Sequence, residues 1–310
     1  MSKKAAYLSI LSGAALWGII GFFANHLYAL GFSSVQVVAV RNLTSALFLV
    51  IYLFIKDRRL LKIRVRDFKY FIGTGIISIA LFNLCMFQTI QETSISIAAV
   101  LLYTAPAFVA VLSRLLFKET LTPLKITALF VTLAGCAFVV GLLPDFKGTI
   151  SPQGLLLGLG SGFFYALYSI FGKYALKKYD TLTVTTYTFL FAAVAVTPFS
   201  GVRDMAPLFL SPQALLYIVG LSLFSTVLAF VLYTKGLTVV ESSRASIIAT
   251  IEPVVAAFTG FLVFGERLQL WQYFGIALVL ASIILVQEIP GGKKGTTSET
   301  GLAEKKKAAV

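Results

Sequence analysis

Histidine occurs once in this chain, at position 26, cysteine twice, at 85 and 136, and Asp plus Glu only thirteen times in 310 residues. Each scarcity removes a class of function. One histidine cannot build a histidine-cluster metal site. It also lies at the end of an apolar run, so an intramembrane serine protease would lack its base; Ser161 sits in LGSG rather than GxSG. No HExxH and no pair of intramembrane aspartates occurs. Cys85 and Cys136 lie inside apolar runs without the spacing of a metal or redox motif, and are expected to be buried structural residues. No enzyme, no cofactor and no metal is therefore expected. Charged residues make up only 13% of the chain against 58% hydrophobic, which is too apolar for a soluble domain.

The apolar residues fall into ten runs of roughly 20 residues, the length that crosses a bilayer once as a helix. They cover residues 6–27, 35–55, 68–88, 95–117, 124–143, 154–176, 182–198, 214–237, 245–264 and 271–286. The first run is long and leads directly into further spans, so it is expected to remain as a helix rather than be cleaved as a signal. The net charge of +13 does not point to nucleic acid, because the basic residues lie in short loops between spans. With the N-terminus inside, 22 of the 26 Lys and Arg fall on the inner side, Lys147, Arg203 and Arg267 fall outside, and Arg41 lies within a span. The expected product is a multi-pass protein of the cytoplasmic membrane with both termini cytoplasmic.

Segments 96–119 and 243–266 align without a gap at an offset of 147, matching at Ser96/Ser243, Ala98/Ala245, Pro106/Pro253, Ala110/Ala257, Leu115/Leu262, Phe117/Phe264 and Glu119/Glu266. The same offset aligns Gly73 with Gly220 and Ser78 with Ser225, while Ser12-Gly13 and Ser161-Gly162 need 149. An odd number of crossings per half makes the repeat inverted. The fold class is an all-α membrane protein with ten transmembrane helices as two inverted five-helix repeats. The expected divisions are an N-terminal stub at 1–5, a first repeat at 6–143, an external linker at 144–153, a second repeat at 154–287, and a disordered, lysine-rich cytoplasmic tail at 288–310.

A proline at the middle of a span frees the carbonyl four residues earlier, here Leu102 for Pro106 and Ala249 for Pro253. In hydrocarbon that is tolerated only where protein or a watery cavity satisfies the group, so both segments are expected to border one cavity. Glu252, beside Pro253, stands where the first half has Ala105; it contacts substrate or a proton, or makes a structural bond to a neighbouring helix. Tyr103 and Thr250, equivalent in the repeat, lie about 200° around an intact helix from Ala105 and Glu252. They share the cavity only if the proline unwinds the turn. Arg41 is either a partner for a carboxylate or substrate, or a side chain reaching the headgroups. Asn83 is expected to face the protein interior and is a candidate for the central cavity. Trp17, Tyr165, Tyr168 and Tyr233 are deep aromatics that suit either a cavity wall or plain packing. Asn25 and His26 fit an interfacial role. Gly154, Gly158 and Gly162 form a helix-packing stripe.

The segments YTAPAFVAVLSRLLFKETLTPLK and IEPVVAAFTGFLVFGERLQLWQ, with the duplicated ten-span layout, resemble the EamA-type transporters of the drug/metabolite transporter superfamily. The resemblance implies a ten-helix carrier of small metabolites, such as amino acids or amines, exporting them by alternating access around a central cavity. It carries Glu252 and Pro253 with Pro106 over as cavity positions, and the segment-ending Glu119 and Glu266, which are read as helix-end structure on opposite faces. The expected partners are a small-molecule substrate, the lipid bilayer, and protons as a candidate coupling ion. A non-transporting helper or sensor, and an uncoupled facilitator, are the rival readings.

Overall fold

A computed structural model describes residues 1–144, 150–201 and 211–287. Lys147, Arg203, half of the expected external linker and the expected tail at 288–310 lie outside the described residues. Ten apolar helical units follow one another: α1 Lys3–Ala29, α2 Ser34–Lys56, α3 Val65–Glu92, α4 Ile95–Phe117, α5 Pro123–Val139, α6 Pro152–Ala175, α7 Thr181–Phe199, α8 Pro212–Leu237, α9 Ser242–Phe264 and α10 Leu270–Val286. Eight are long enough to cross a bilayer outright, and α5 and α10 are shorter apolar helices of 17 residues each. Strands are absent among the described residues. The starts follow the sequence: Ser33, Thr122, Ser151, Asp180 and Ser211 each cap a first turn with a side-chain oxygen, satisfying an amide that has no intrahelical acceptor.

The packing repeats under exchange of the halves. α1 lies on α8 as α6 lies on α3, α1 meets α9 as α6 meets α4, and α3 meets α7 as α8 meets α2. The pairs α2–α7, α4–α9 and α5–α10 join each helix to its own repeat mate, as helices beside a pseudo-two-fold axis must. Local irregularities repeat as well. α3 is π-helical over Ile72–Ala80 and α8 over Leu223–Leu228, overlapping at the offset of 147. Gly73 lies under the Phe171 ring of α6, and Gly220 under the Phe23 ring of α1.

Small residues set the close approaches. A Cβ on Gly158 would strike Leu101, and one on Gly162 would lie 2.8 Å from the Leu101 carbonyl, so the glycine stripe of α6 presses directly on α4. α5 and α10 cross at Gly135 and Gly275, with Thr132 donating to Ser282 Oγ at 2.8 Å beside the crossing. Asp67, before the membrane-crossing part of α3, accepts from Lys178 Nζ at 2.6 Å and from the Tyr179 hydroxyl at 2.8 Å, tying the first half to the end of α6.

Candidate functional site

Both proline helices are broken. α4 consists of Ile95–Leu102 and Ala105–Phe117, and α9 of Ser242–Ile248 and Ile251–Phe264. The repeat mates Tyr103 and Thr250 sit at the breaks with nearly the same backbone, φ −72°, ψ 5° and φ −71°, ψ 5°. The break explains why the prolines cost little: each falls in the first turn of a new helical segment, where amides have no intrahelical acceptor to lose. The Ala249 carbonyl is satisfied locally, accepting from the Glu252 amide at 3.1 Å. The Thr104 and Thr250 hydroxyls close the turns by donating to Leu101 O and Ile247 O at 2.6 Å.

Unwinding the turn also settles the angular conflict around α9. Tyr103, Thr250 and Glu252 line one cavity together with Pro106 of α4, Tyr165 of α6 and Tyr233 of α8. Ser169, Ser246, Ala105 and Ala249 complete much of the wall. Water-sized spheres find about 20 Å³ in it, room for about one ordered water. In this conformation the cavity is too small for a metabolite, and an occupant needs the walls to separate.

Glu252 stands in the first turn of Ile251–Phe264, where a helix dipole favours negative charge. Tyr165 lies on the same cavity wall, and the Arg41 guanidinium of α2 lies within longer electrostatic range, without a direct ion pair to Glu252 among the described residues. Around them lies an aromatic cage. Trp17 stacks edge-on to Phe230 at 4.9 Å and lies 5.0 Å from Tyr233 and 6.3 Å from Tyr165, and Phe82 meets Tyr165 at 5.4 Å. Tyr233 and Ser169 share a hydrogen bond of 2.7 Å, as do Tyr168 and Thr234 at 2.6 Å. One carboxyl in an aromatic, hydroxyl-bearing space suits a small organic solute that carries an amine or exchanges a proton.

Of the residues singled out in the sequence, Tyr103, Pro106, Tyr165, Tyr233 and Glu252 line the cavity. Pro253 is buried beside it, and Trp17 and Tyr168 form its backing layer. Arg41 is buried, 7% exposed, so it does not reach headgroups. Asn83 is elsewhere. It donates to Ile79 O of its own helix at 2.7 Å and lines a lateral apolar groove between α2, α3 and α7. Sequence reasoning passed over Ser169 and Ser246, which carried no signal beyond being small and polar. It also left Cys136 as plain core, which it is by exposure, although it lies within electrostatic reach of Glu252.

The ends of α4 and α9 form a second polar centre. Glu119, just past α4, accepts from the Ser242 amide at 2.8 Å, the Ser243 amide at 3.1 Å and the Ser243 hydroxyl at 2.7 Å, with Lys173 Nζ at 3.4 Å. Burial pushes this carboxyl up, but the hydrogen bonds from Ser243 and Ser242 and the Lys173 charge outweigh it and hold the group below its ordinary range. Lys125, only 2% exposed, pairs with Glu241 at 2.6 Å and donates to Thr120 O at 2.8 Å. Sequence reading placed Glu119 at a helix end; it did not reach the bond across the halves. The serine pair opening α9 was the available signal.

Two broken helices meeting at a polar cavity, inside a bundle of apolar helices with inverted internal symmetry, define a multi-pass membrane transporter. The EamA-like transporter family model matches residues 4–141 and 152–287, one match to each repeat, and the chain belongs to that family. It is 32% identical over 214 residues to an uncharacterised transporter of Archaeoglobus fulgidus, covering 68% of this chain and 75% of that one. It is 25% identical over 288 residues to the uncharacterised inner membrane transporter YicL of Salmonella typhimurium, covering 92% and 96%. A solved crystal structure, 15% identical, superposes with a TM-score of 0.76 over 92% of this chain and 96% of that one, a likeness of fold.

Proposed function

We propose that the protein is a secondary carrier that exports small organic metabolites, amino acids, amines or related solutes, by alternating access. The face bearing the termini is cytoplasmic in this reading, supported by the excess of Lys and Arg in its loops. The observation that carries the proposal is Glu252: one carboxyl, partly exposed only to a cavity, at the junction of two helices that the repeat makes equivalent. Burying a charge at this depth costs roughly 2 to 3 kcal/mol or more, which a purely structural bond seldom needs. Arg41 lies within electrostatic range of the group and Tyr165 shares its wall, and substrate or a proton is its partner in the cavity.

Counterflow of labelled solutes into proteoliposomes holding purified protein tests this. Movement of at least one amine or amino acid above protein-free vesicles is expected. Glu252→Gln keeps the shape and removes the titration. If protons are the coupling ion, the variant loses gradient-driven accumulation and keeps exchange; if Glu252 binds an amine directly, both fall, most for cationic solutes. No movement of any solute would favour a helper or sensor, and normal transport in the variant would make Glu252 structural.

A further inference from the structure

The two faces of the molecule are closed to different degrees. On the face bearing the termini, Glu119 at the end of α4 holds the first amides of α9. The carboxylate of its repeat mate Glu266, at the end of α9 on the opposite face, makes no hydrogen bond or ion pair among the described residues, and the residue is exposed. The backbone is not the cause. The Glu119 amide donates to Ser113 O at 3.3 Å and the Glu266 amide to Gly260 O at 3.2 Å, and the preceding residues are both left-handed, Lys118 at φ 57° and Gly265 at φ 68°. The side chains differ in where they rest. Glu266 folds its carboxyl back over Gly260, occupying the place a Cβ would take. The mate of Gly260 is Ser113, whose side chain closes that place in the first half.

The mates of Ser242 and Ser243 are Ile95 and Ser96, the first residues of α4. Their amides are first-turn donors with no intrahelical acceptor, and the Ser96 hydroxyl has no partner among the described residues. The opposite face therefore holds the same carboxylate, the same two amides and the same hydroxyl as the closed latch, held apart. We infer that Glu119 and Glu266 are alternating latches: in the opposite conformation Glu119 leaves α9, and Glu266 swings from Gly260 to accept from the Ile95 and Ser96 amides and the Ser96 hydroxyl. This rests on the carrier reading and adds the residues that set which face is shut. The latches are unequal. Lys125, which pairs with Glu241 on the closed face, corresponds to Gln272, and Glu241 to Ser94, so the second latch lacks that ion pair and is the weaker.

Disulfide cross-linking in proteoliposomes, with Cys85 and Cys136 replaced by alanine, reads the two faces separately. Thr120→Cys with Glu241→Cys reports the closed face, since Lys125 already bridges those residues. Their mates, Arg267→Cys with Ser94→Cys, report the opposite face. Gly260→Ala leaves every hydrogen-bonding group in place and expels the carboxyl from its rest. It is expected to raise the Arg267/Ser94 yield at least about threefold, while Glu266→Gln and Ser96→Ala lower it by a similar factor. Ser243→Ala is expected to lower the Thr120/Glu241 yield and raise the other. Equal Arg267/Ser94 yields in the parent, Gly260→Ala and Glu266→Gln proteins would overturn the inference, even if Ser243→Ala proved unstable. Counterflow measured in parallel separates the two ideas: transport with unmoved yields removes the latches alone, and exchanged yields without transport of any solute remove the carrier reading alone.

Discussion

The broken helices α4 and α9 share a backbone and differ in chemistry. The first half places Tyr103 and Ala105 at the break, the second Thr250 and Glu252, and all four side chains face the same cavity. The shared part, proline with a turn at φ near −72°, builds the cavity. The unshared part gives it one ionisable carboxyl, on the side of the second half. A duplicated scaffold can thus stay nearly symmetric in packing while its site is polarised by two substitutions.

Moving the carboxylate across the pseudo-axis is the strongest way to break that comparison. Glu252→Ala is expected to lower initial counterflow at least about tenfold, the scale of a lost charged hydrogen bond. Adding Ala105→Glu is expected not to restore it, because Arg41 of α2 has its mates near Thr188 and Leu190 of α7, where no cation stands. The double variant buries an unpaired charge and should lose about 2 kcal/mol or more of stability. Recovered transport would show that a carboxyl anywhere in the cavity suffices.

Gly13 and Gly162 sharpen the comparison from the packing side. They are repeat mates, and a Cβ on either meets backbone: Ala229 O at 2.6 Å and Tyr233 N at 2.9 Å for Gly13, Leu101 O at 2.8 Å for Gly162. Backbone cannot rotate away, so Gly13→Ala and Gly162→Ala are expected to cost about 2 kcal/mol each. A Cβ on Gly160, two residues from Gly162, meets only side chains at ordinary distances, Cys85 Sγ at 3.7 Å and Phe164 Cε2 at 4.0 Å. Gly160→Ala should hold or raise the apparent melting temperature in detergent, by up to the roughly 0.8 kcal/mol of helix propensity.

The fold was legible because two independent records agree: the offset of 147 between halves, and the segregation of Lys and Arg. The site was legible only in part. Pro106, Pro253 and Glu252 announce themselves by being costly in hydrocarbon, but an intact helix would turn Tyr103 and Thr250 away. Only the break at those residues brings them in. Asn83 faces the interior as an amide in a span should, but it does not line the central cavity, and its own Ile79 carbonyl one turn away takes its donor. Glu119 was visible as a helix end, while its acceptor role depends on Ser242 and Ser243, more than 120 positions along the chain.

The Glu119 latch has a pH dependence of its own. A carboxyl held below its ordinary value of 4.5 contributes its full stabilisation at neutral pH and loses it only as pH falls through the depressed folded value. With spin labels attached beforehand to cysteines at Thr120 and Glu241, a readout that needs no thiolate, the short-distance population should stay flat from neutral pH to about 4.5 and decline below it. Ser243→Ala removes the hydroxyl bond to Glu119 while keeping both amides, and should move that decline to higher pH. A decline already complete near neutral pH would mean that another group holds the face shut.

The smallest expected effect lies at the α5–α10 crossing. Gly135 and Gly275 let these shorter helices approach, and Thr132 and Ser282 exchange a hydrogen bond in a fully buried setting. Buried polar pairs between membrane helices contribute on average only about 0.6 kcal/mol, because each group finds other partners when the pair is broken. Ser282 already has one, donating to Val279 O at 2.8 Å. A double-mutant cycle of Thr132→Val and Ser282→Ala should therefore give a coupling of about 0.6 kcal/mol, with counterflow unchanged in all three variants. A coupling several times larger, or a change in transport, would show that α5 and α10 move against each other during the cycle. They would then belong to the moving parts and would not be the fixed seam between the repeats.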